Sequence, residues 1–94
     1  MIKVFLSANG YLKKYFSNGE SYCVELEDGA TAEDFYNKID ALYGEGWSTS
    51  IWSRDIKRFR KPMIVRLSGE CKFNPDKELK DGDIFAISRV IIGG

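Results

Sequence analysis

The sequence has no histidine, and its 94 residues include only two cysteines and two prolines. Histidine is the commonest general base and the commonest metal ligand in proteins, so its absence removes the usual side chain for both kinds of chemistry. The two cysteines, Cys23 and Cys71, lie far apart and lack the paired spacing of metal ligands. Side chains for enzyme chemistry are therefore scarce, and we expect no bound metal and no bound cofactor.

Long apolar runs and an excess of charge are missing as well. No run approaches the ~20 apolar residues of a membrane-spanning helix. The opening residues 1–7 have too short an apolar stretch for a signal peptide. The 14 basic and 14 acidic residues cancel, which leaves no global field to attract nucleic acid or an anionic membrane. We therefore expect a cytoplasmic protein that binds neither.

Four runs of the sequence favour β-strands. They lie at residues 2–7, 21–27, 63–68 and 84–90, and a short return strand is expected at 71–73. The first two runs are expected to form an N-terminal hairpin. Because one main helix separates runs of strands, the sequence predicts an α+β fold, with a mixed sheet of about four to five strands packed on that helix.

Shorter segments connect these elements. Residues 11–16 form a short amphipathic segment, 74–79 a loop or 3₁₀ turn, and 80–83 a tight turn in which Gly82 takes a positive φ. The chain is long enough for one hydrophobic core. We therefore expect a single domain at residues 1–90, followed by a functional tail at residues 91–94.

The main helix has a clear beginning and a clear end. Thr31 is a good N-cap, and Asp34 stands three residues on, where it can complete a capping box. The neighbouring acidic residues are interpreted as complementing the helix dipole rather than as a metal site. Gly44 and Gly46 end the helix. Its buried stripe is predicted to consist of Phe35, Ile39, Leu42 and Tyr43.

A second helix is predicted from Ser50 to Pro62, with Trp52, Ile56 and Phe59 on its apolar face. This stretch is also basic. Interleaved cations and aromatic rings are found on protein surfaces that bind nucleic acid. Since the total charge is neutral, we favour a core-facing stripe with a solvated basic back. A docking surface for an acidic partner is the third interpretation. The cysteines are interpreted as packing or surface residues rather than as redox or sulfur-relay groups.

The chain as given closes on Gly93 and Gly94. Glycine weakens regular structure because it loses the most conformational freedom on folding. Without a side chain, however, it lets the backbone thread a narrow channel and present a carboxylate to another protein. A frayed, meaningless end is the alternative. The residues before the pair, Ile91 and Ile92, either pack on this domain or anchor in a partner's groove, and we favour the second.

Three segments give the sequence a family resemblance. They are the opening Ile2-Lys3-Val4-Phe5, the helix entry at residues 26–34, and residues 79–87 followed by the diglycine. Together with residues 63–69 they cover about a third of the chain. In their order and spacing, the sequence resembles the ubiquitin-like sulfur-carrier proteins, which include the molybdopterin synthase small subunit and the thiamine-pathway carrier. This resemblance implies a β-grasp fold.

The resemblance also implies a function. An E1-like adenylating enzyme would use ATP and Mg²⁺ to activate the carboxylate of Gly94. A sulfur donor would then convert it to a thiocarboxylate that donates sulfur, in molybdopterin-type cofactor biosynthesis. Gly93 would let the tail pass the partner's channel, and a larger molybdopterin synthase-type catalytic subunit is a second implied partner. The chain would be a carrier or small subunit rather than a catalyst, and it has no phosphate-binding glycine loop of its own.

Two alternatives stay open. A ubiquitin-like modifier would instead join the activated Gly94 to a lysine of a target protein. A non-catalytic interaction module would use the edge of its sheet, and the diglycine would then be incidental.

Overall fold

The computed structural model describes residues 1–8, 21–60, 63–67 and 74–89. All structural statements below concern these segments. The predicted amphipathic segment at 11–16 and the return strand at 71–73 lie outside them. In chain order, the elements are β1 (Ile2–Ala8), β2 (Ser21–Leu26), α1 (Ala32–Tyr43), a 3₁₀ turn (Gly44–Gly46), β3 (Trp52–Ser53), β4 (Arg58–Phe59), β5 (Met63–Leu67) and β6 (Ile84–Arg89).

Four strands form one mixed sheet in the order β2-β1-β6-β5. β1 pairs antiparallel with β2, as the predicted hairpin requires, and parallel with β6. β5 pairs antiparallel with β6. The predicted α+β architecture of one helix on a mixed sheet is confirmed, and the strand that precedes the tail lies inside the sheet.

One face of the sheet packs against α1 because apolar residues alternate along the strands. In β1, the buried side chains are Ile2, Val4, Leu6 and Ala8. They meet Phe35 and Ile39 of α1, both fully buried. The ring of Phe35 stacks on Phe85 of β6, with 4.4 Å between centroids. Burying each such side chain stabilises the fold by about 1.5–3 kcal/mol.

The predicted start of α1 is confirmed. The Thr31 backbone N–H donates to the Asp34 carboxylate (2.9 Å), and the Asp34 N–H donates to the Thr31 hydroxyl (3.3 Å), so both arms of a capping box are present. The helix ends at Tyr43, as the following glycines predict.

The predicted apolar stripe of α1 is wrong at one position. Leu42 is 53% exposed, whereas Tyr36 and Asp40 are buried although the stripe did not include them. The reason is that α1 is covered from two sides. The sheet covers Phe35 and Ile39, and the segment after the helix covers Tyr36 and Asp40. The buried face is therefore turned away from Leu42.

The predicted second helix is also wrong. Residues 52–59 form a small antiparallel hairpin in which Trp52 pairs with Phe59 and Ser53 with Arg58. Lys57 in its turn has a φ of 55°, which a helix does not allow. Trp52 is buried and Phe59 packs on the core, but Ile56 is 66% exposed at the tip. The core-facing interpretation therefore holds for the two aromatic residues and fails for Ile56.

The segment that leads into β6 follows the prediction. Residues 74–79 form a turn and an isolated bridge between Glu78 and Thr31, and Gly82 has a φ of 88° in the tight turn at 80–83. In the part of the chain that is described, no helix is long and apolar enough to cross a membrane.

Candidate functional site

The candidate site begins where β6 ends. β6 is an inner strand, hydrogen-bonded to β1 on one side and to β5 on the other. Its last residue, Arg89, pairs with Met63. The predicted site residues Ile91, Ile92, Gly93 and Gly94 lie outside the described residues, so the structure locates the root of the tail and not the tail itself. Covalent geometry limits the five residues beyond Arg89 to a reach of at most about 18 Å.

The start of β6 is fixed by hydrogen bonds to β1. The Gly82 N–H donates to the Lys3 carbonyl (2.7 Å), and the Lys3 N–H donates to a carboxylate oxygen of Asp81 (2.8 Å). The Phe5 N–H donates to the Asp83 carbonyl (2.8 Å). The positive φ of Gly82 lets the turn make these contacts. The strand that carries the tail is thus held at both of its edges and at its start, which suits a rigid anchor.

The face of the sheet that points away from α1 is partly apolar. Phe5 of β1 lies beside Ile84 of β6 and Cys23 of β2. Ile84 is 50% exposed and Cys23 is exposed, while Phe5 is half-buried. Ile64, on the same face of β5, is also half-buried. Contiguous exposed apolar side chains mark interaction surfaces, so this outer face is a candidate docking surface on the strand that leads to the tail.

The β3–β4 hairpin is anchored to α1 through a buried carboxylate. The Trp52 indole Nε1 donates to Asp40 Oδ1 (2.8 Å), and Arg54 Nε donates to the same oxygen (3.3 Å). The hydrogen bond from Trp52, assisted by Arg54 and by the charge of Lys57, holds the pKa of the Asp40 carboxyl below its ordinary value of 3.8, against the opposing effect of burial. Asp40 therefore stays ionised and fixes the hairpin at neutral pH.

Gly44 permits this contact. A Cβ at this position would lie 2.5 Å from Asp40 Oδ1 and 3.1 Å from Trp52 Nε1. Its φ of −56° is ordinary helical geometry, so the glycine is required for the close approach and not for an unusual backbone.

Aromatic rings complete the anchor. Trp52 meets Phe59 edge to face with 4.7 Å between centroids, and Trp47 meets Trp52 at 5.3 Å. The Arg58 guanidinium lies 5.1 Å above the ring of Tyr36. Burial raises the pKa of the Tyr36 phenol to about 12, although the charge of Arg58 lowers it.

The hairpin and the root of the tail lie at the same end of the molecule. The Met63 N–H donates to the carbonyl of Arg60, the residue after β4 (3.0 Å), and Met63 pairs with Arg89. Acidic residues occupy the opposite end. There, a surface cavity of about 420 Å³ is lined by Glu25, Glu27, Asp28 and Asp34, together with Met1 and Lys38. Within the described ranges, no three acidic or cysteine side chains are grouped so that they could hold a metal ion.

Two of these features are not predicted by the sequence patterns. The Asp40–Trp52 contact joins residues 12 apart through a hydrogen bond that no local pattern indicates. The outer apolar face had a readable signal, because Phe5 and Ile84 both occupy strand positions that alternate with core residues.

No protein-family model matches the sequence, and no curated protein matches it significantly. Solved structures do match. SAMP1 from Haloferax volcanii superposes with a TM-score of 0.72 at 15% identity, over 98% of this chain and 99% of that one. A putative molybdopterin converting factor subunit 1 from Pyrococcus furiosus has a TM-score of 0.66 at 18% identity, over 97% and 100%.

A third match is a complex of subunits 1 and 2 of molybdopterin-converting factor from Helicobacter pylori, with a TM-score of 0.57 at 18% identity over 99% of this chain and 100% of the matched chain. At these identities the likeness establishes the fold. The expected β-grasp fold is confirmed, and it is the fold shared with SAMP1 and with the small subunits of molybdopterin-converting factor.

Proposed function

We propose that the protein is a ubiquitin-like sulfur carrier whose mature chain ends at Gly94 and whose reactive group is the Gly94 carboxylate. The observation that carries the proposal is the position of β6. This inner strand of a β-grasp sheet ends at Arg89 and leads, four and five residues on, to Gly93 and Gly94. Residues 1–90 then serve as a rigid holder, and residues 91–94 serve as the part that enters a partner.

The proposed chemistry has two steps. A carboxylate oxygen of Gly94 attacks the α-phosphorus of ATP, pyrophosphate leaves, and an acyl adenylate forms. A sulfur nucleophile at the oxidation level of sulfide then attacks the carbonyl carbon, AMP leaves, and a thiocarboxylate remains. An adenylating enzyme of the E1-like type would bind the ATP and Mg²⁺. The carrier supplies the carboxylate and two residues, Gly93 and Gly94, that occupy little width.

A larger catalytic subunit is the second proposed partner. Support comes from the Helicobacter pylori match, in which subunit 1 is bound to subunit 2 of molybdopterin-converting factor. The outer face has Phe5 and Ile84 at the start of β6 and Ile64 near its end, and it offers an apolar surface on the strand that leads to the tail. Ile91 and Ile92 would extend that contact along the tail. The sulfur acceptor would then be a cofactor precursor of the molybdopterin type.

Intact-mass measurement tests the proposal. The protein is incubated with the adenylating enzyme of the same organism, ATP, Mg²⁺ and a sulfur donor. We expect a product heavier by the difference between one sulfur and one oxygen atom. A chain lacking Gly93 and Gly94 is the control, and it should keep its circular dichroism spectrum while losing the mass change. Absence of both the adenylate and the thiocarboxylate from the full chain would falsify the proposal.

A protein modifier is the second candidate function, because a small archaeal modifier protein 1 from Haloferax volcanii has the same fold, with a TM-score of 0.69. The same incubation separates the two. Conjugates of higher mass, linked through Gly94 to lysines, favour the modifier, whereas sulfur exchange without conjugates favours the carrier. If neither ATP-dependent product forms, an interaction module is the remaining function.

A further inference from the structure

We propose that the basic β3–β4 hairpin is a second contact surface for the adenylating enzyme, and that this enzyme presents an acidic rim around a shallow apolar socket for Ile56. This inference rests on the proposed function for the identity of the partner. Its own basis is the position, the anchoring and the chemistry of the hairpin.

The position of the hairpin brings it close to the tail. Two connections join them: the hydrogen bond from the Met63 N–H to the Arg60 carbonyl (3.0 Å), and the pairing of Met63 with Arg89 at the end of β6. A protein that receives residues 90–94 within their reach of about 18 Å therefore approaches the end of the sheet where the hairpin stands.

The tip of the hairpin has the composition of an interface anchor. Ile56 is 66% exposed, although a single isoleucine of this kind would be better buried. Arg54, Lys57 and Arg60 surround it in sequence, with Asp55 as the one acidic residue of the turn. Binding hot spots typically combine an apolar anchor with a charged or polar rim. An acidic rim on the partner would match these cations.

The hairpin is held rigidly although its strands are short. Two-residue strands do not form a stable ribbon by themselves. Tertiary contacts therefore anchor the hairpin. Buried Trp52 donates a hydrogen bond to Asp40, Gly44 leaves space for that hydrogen bond, and Phe59 packs on the core. A buried base fixes the position of an exposed tip, which is the arrangement that precise recognition requires.

The distribution of charge supports an acidic partner. The chain has no net charge, yet the cavity at the end away from the tail is lined by acidic residues, and the hairpin near the tail is basic. An acidic surface would therefore attract the molecule with its tail end forward, which raises the rate of productive encounter. A nucleic acid is a poorer fit, because Trp52 and Phe59 are packed inward and give bases no exposed ring on which to stack.

Pyrophosphate-exchange kinetics with the adenylating enzyme of the same organism test this inference. We expect Ile56→Asp and Arg60→Glu each to raise the KM for the carrier about tenfold, as truncation of a hot spot does, with kcat unchanged. Ile56→Leu keeps an apolar tip and should retain the wild-type KM. Lys77→Glu makes the same charge change at the opposite end and should also retain it. Added salt should raise the wild-type KM more than that of Arg60→Glu.

The outcomes are distinct. An unchanged KM in both hairpin variants, with wild-type turnover, overturns the inference and leaves the proposed function standing. If wild-type protein shows no exchange, the proposed function fails and this inference fails with it. Salt-sensitive dimers in sedimentation that Arg60→Glu abolishes would instead assign the hairpin to a second copy. Tight binding of a labelled RNA oligonucleotide that the same variant abolishes would assign the hairpin to nucleic acid.

Circular dichroism confirms that each variant is folded, and Ile56→Ala replaces Ile56→Asp if the aspartate disturbs the turn.

Discussion

The indole Nε1 of Trp52 donates a buried hydrogen bond to Oδ1 of Asp40, 2.8 Å away. This bond links α1 to the β3–β4 hairpin, and Arg54 donates to the same carboxylate oxygen from the outside. Buried polar groups stabilise a fold only when they are paired, and leaving one unpaired is costly. The pair therefore determines whether the basic hairpin keeps its position near the root of the tail.

Replacing Asp40 tests the strength of this link. Asp40→Ala leaves the Trp52 N–H buried without an acceptor, so we expect the free energy of unfolding to fall by about 1–3 kcal/mol. Asp40→Asn keeps an oxygen acceptor in nearly the same place and should lose less. Urea denaturation monitored by tryptophan fluorescence measures both. Equal losses in the two variants would show that the hydrogen bond to Trp52 is not the stabilising contact.

The lowered pKa of Asp40 predicts that the free energy of unfolding falls at acid pH. A carboxyl with a lower pKa in the folded state than in the unfolded state contributes its full stability above the unfolded value, 3.8, and loses it as the pH falls through the folded value. Wild-type protein should therefore lose stability below about pH 4 more steeply than Asp40→Asn. Urea midpoints measured between pH 6 and pH 2.5 give the comparison. Parallel curves for the two proteins would contradict the assignment.

Gly44→Ala should destabilise the protein by about 1–3 kcal/mol, because the added methyl group meets the Asp40 carboxylate and the Trp52 indole. At an ordinary helix end, alanine would instead be neutral or stabilising. Gly46→Ala is the matched control, since a Cβ there meets nothing within 4 Å. Thermal unfolding of the two variants decides the matter, and a Gly44→Ala protein as stable as wild type would contradict the proposed close contact.

The raised pKa of Tyr36 predicts that the free energy of unfolding falls as the pH rises in the alkaline range, which is the opposite direction to the effect of Asp40. Its folded pKa of about 12 lies above the ordinary 10.0, so the neutral phenol stabilises the fold fully below pH 10 and this contribution is lost as the pH rises from 10 towards 12. Absorbance at the phenolate band should show a tyrosine that ionises only near pH 12 or on unfolding. In Tyr36→Phe, that late step should disappear and stability should fall less steeply above pH 10. A late step that persists in Tyr36→Phe would assign it to another tyrosine.

The parts of the fold that the sequence predicted are those in which local chemistry determines the structure. The Thr31–Asp34 capping box joins residues three apart, and the positive φ of Gly82 follows from its own turn. The β3–β4 hairpin was predicted as a helix because two-residue strands carry no periodicity, and Trp52, Ile56 and Phe59 also have helical spacing. The hairpin depends on a contact with α1 that only the folded chain brings together.

The candidate site also has parts that the sequence predicts and parts that it does not. The sequence singles out Gly93 and Gly94 because this glycine pair follows the last predicted strand and fits the family resemblance. Their role stays a prediction because they lie outside the described residues. The strand that leads to them is predicted by the pattern of residues 84–90, and the structure shows in addition that it is an inner strand of the sheet. Leu42 illustrates why surfaces are harder to predict: it has the spacing of a core residue, yet the hairpin covers the neighbouring side of α1.

On the outer face of the sheet, we expect a substitution to weaken the binding of a partner without lowering the stability of the fold. Ile84 and Leu42 are exposed to nearly the same degree, 50% and 53%, but Ile84 lies on the outer face of the sheet and Leu42 lies on α1, which packs on the other face. Ile84→Ser and Leu42→Ser should therefore each change the free energy of unfolding by about 0.5 kcal/mol or less. If the catalytic subunit docks on the outer face, removing the Ile84 side chain should weaken binding about tenfold. Leu42→Ser should bind as wild type.

Isothermal titration calorimetry with the catalytic subunit of the same organism measures both affinities, and equal affinities for the two variants would exclude the outer face as the docking surface. Because Ile84 opens the strand that leads to the tail, a loss confined to Ile84→Ser would connect the docking face and the tail through a single rigid element, β6.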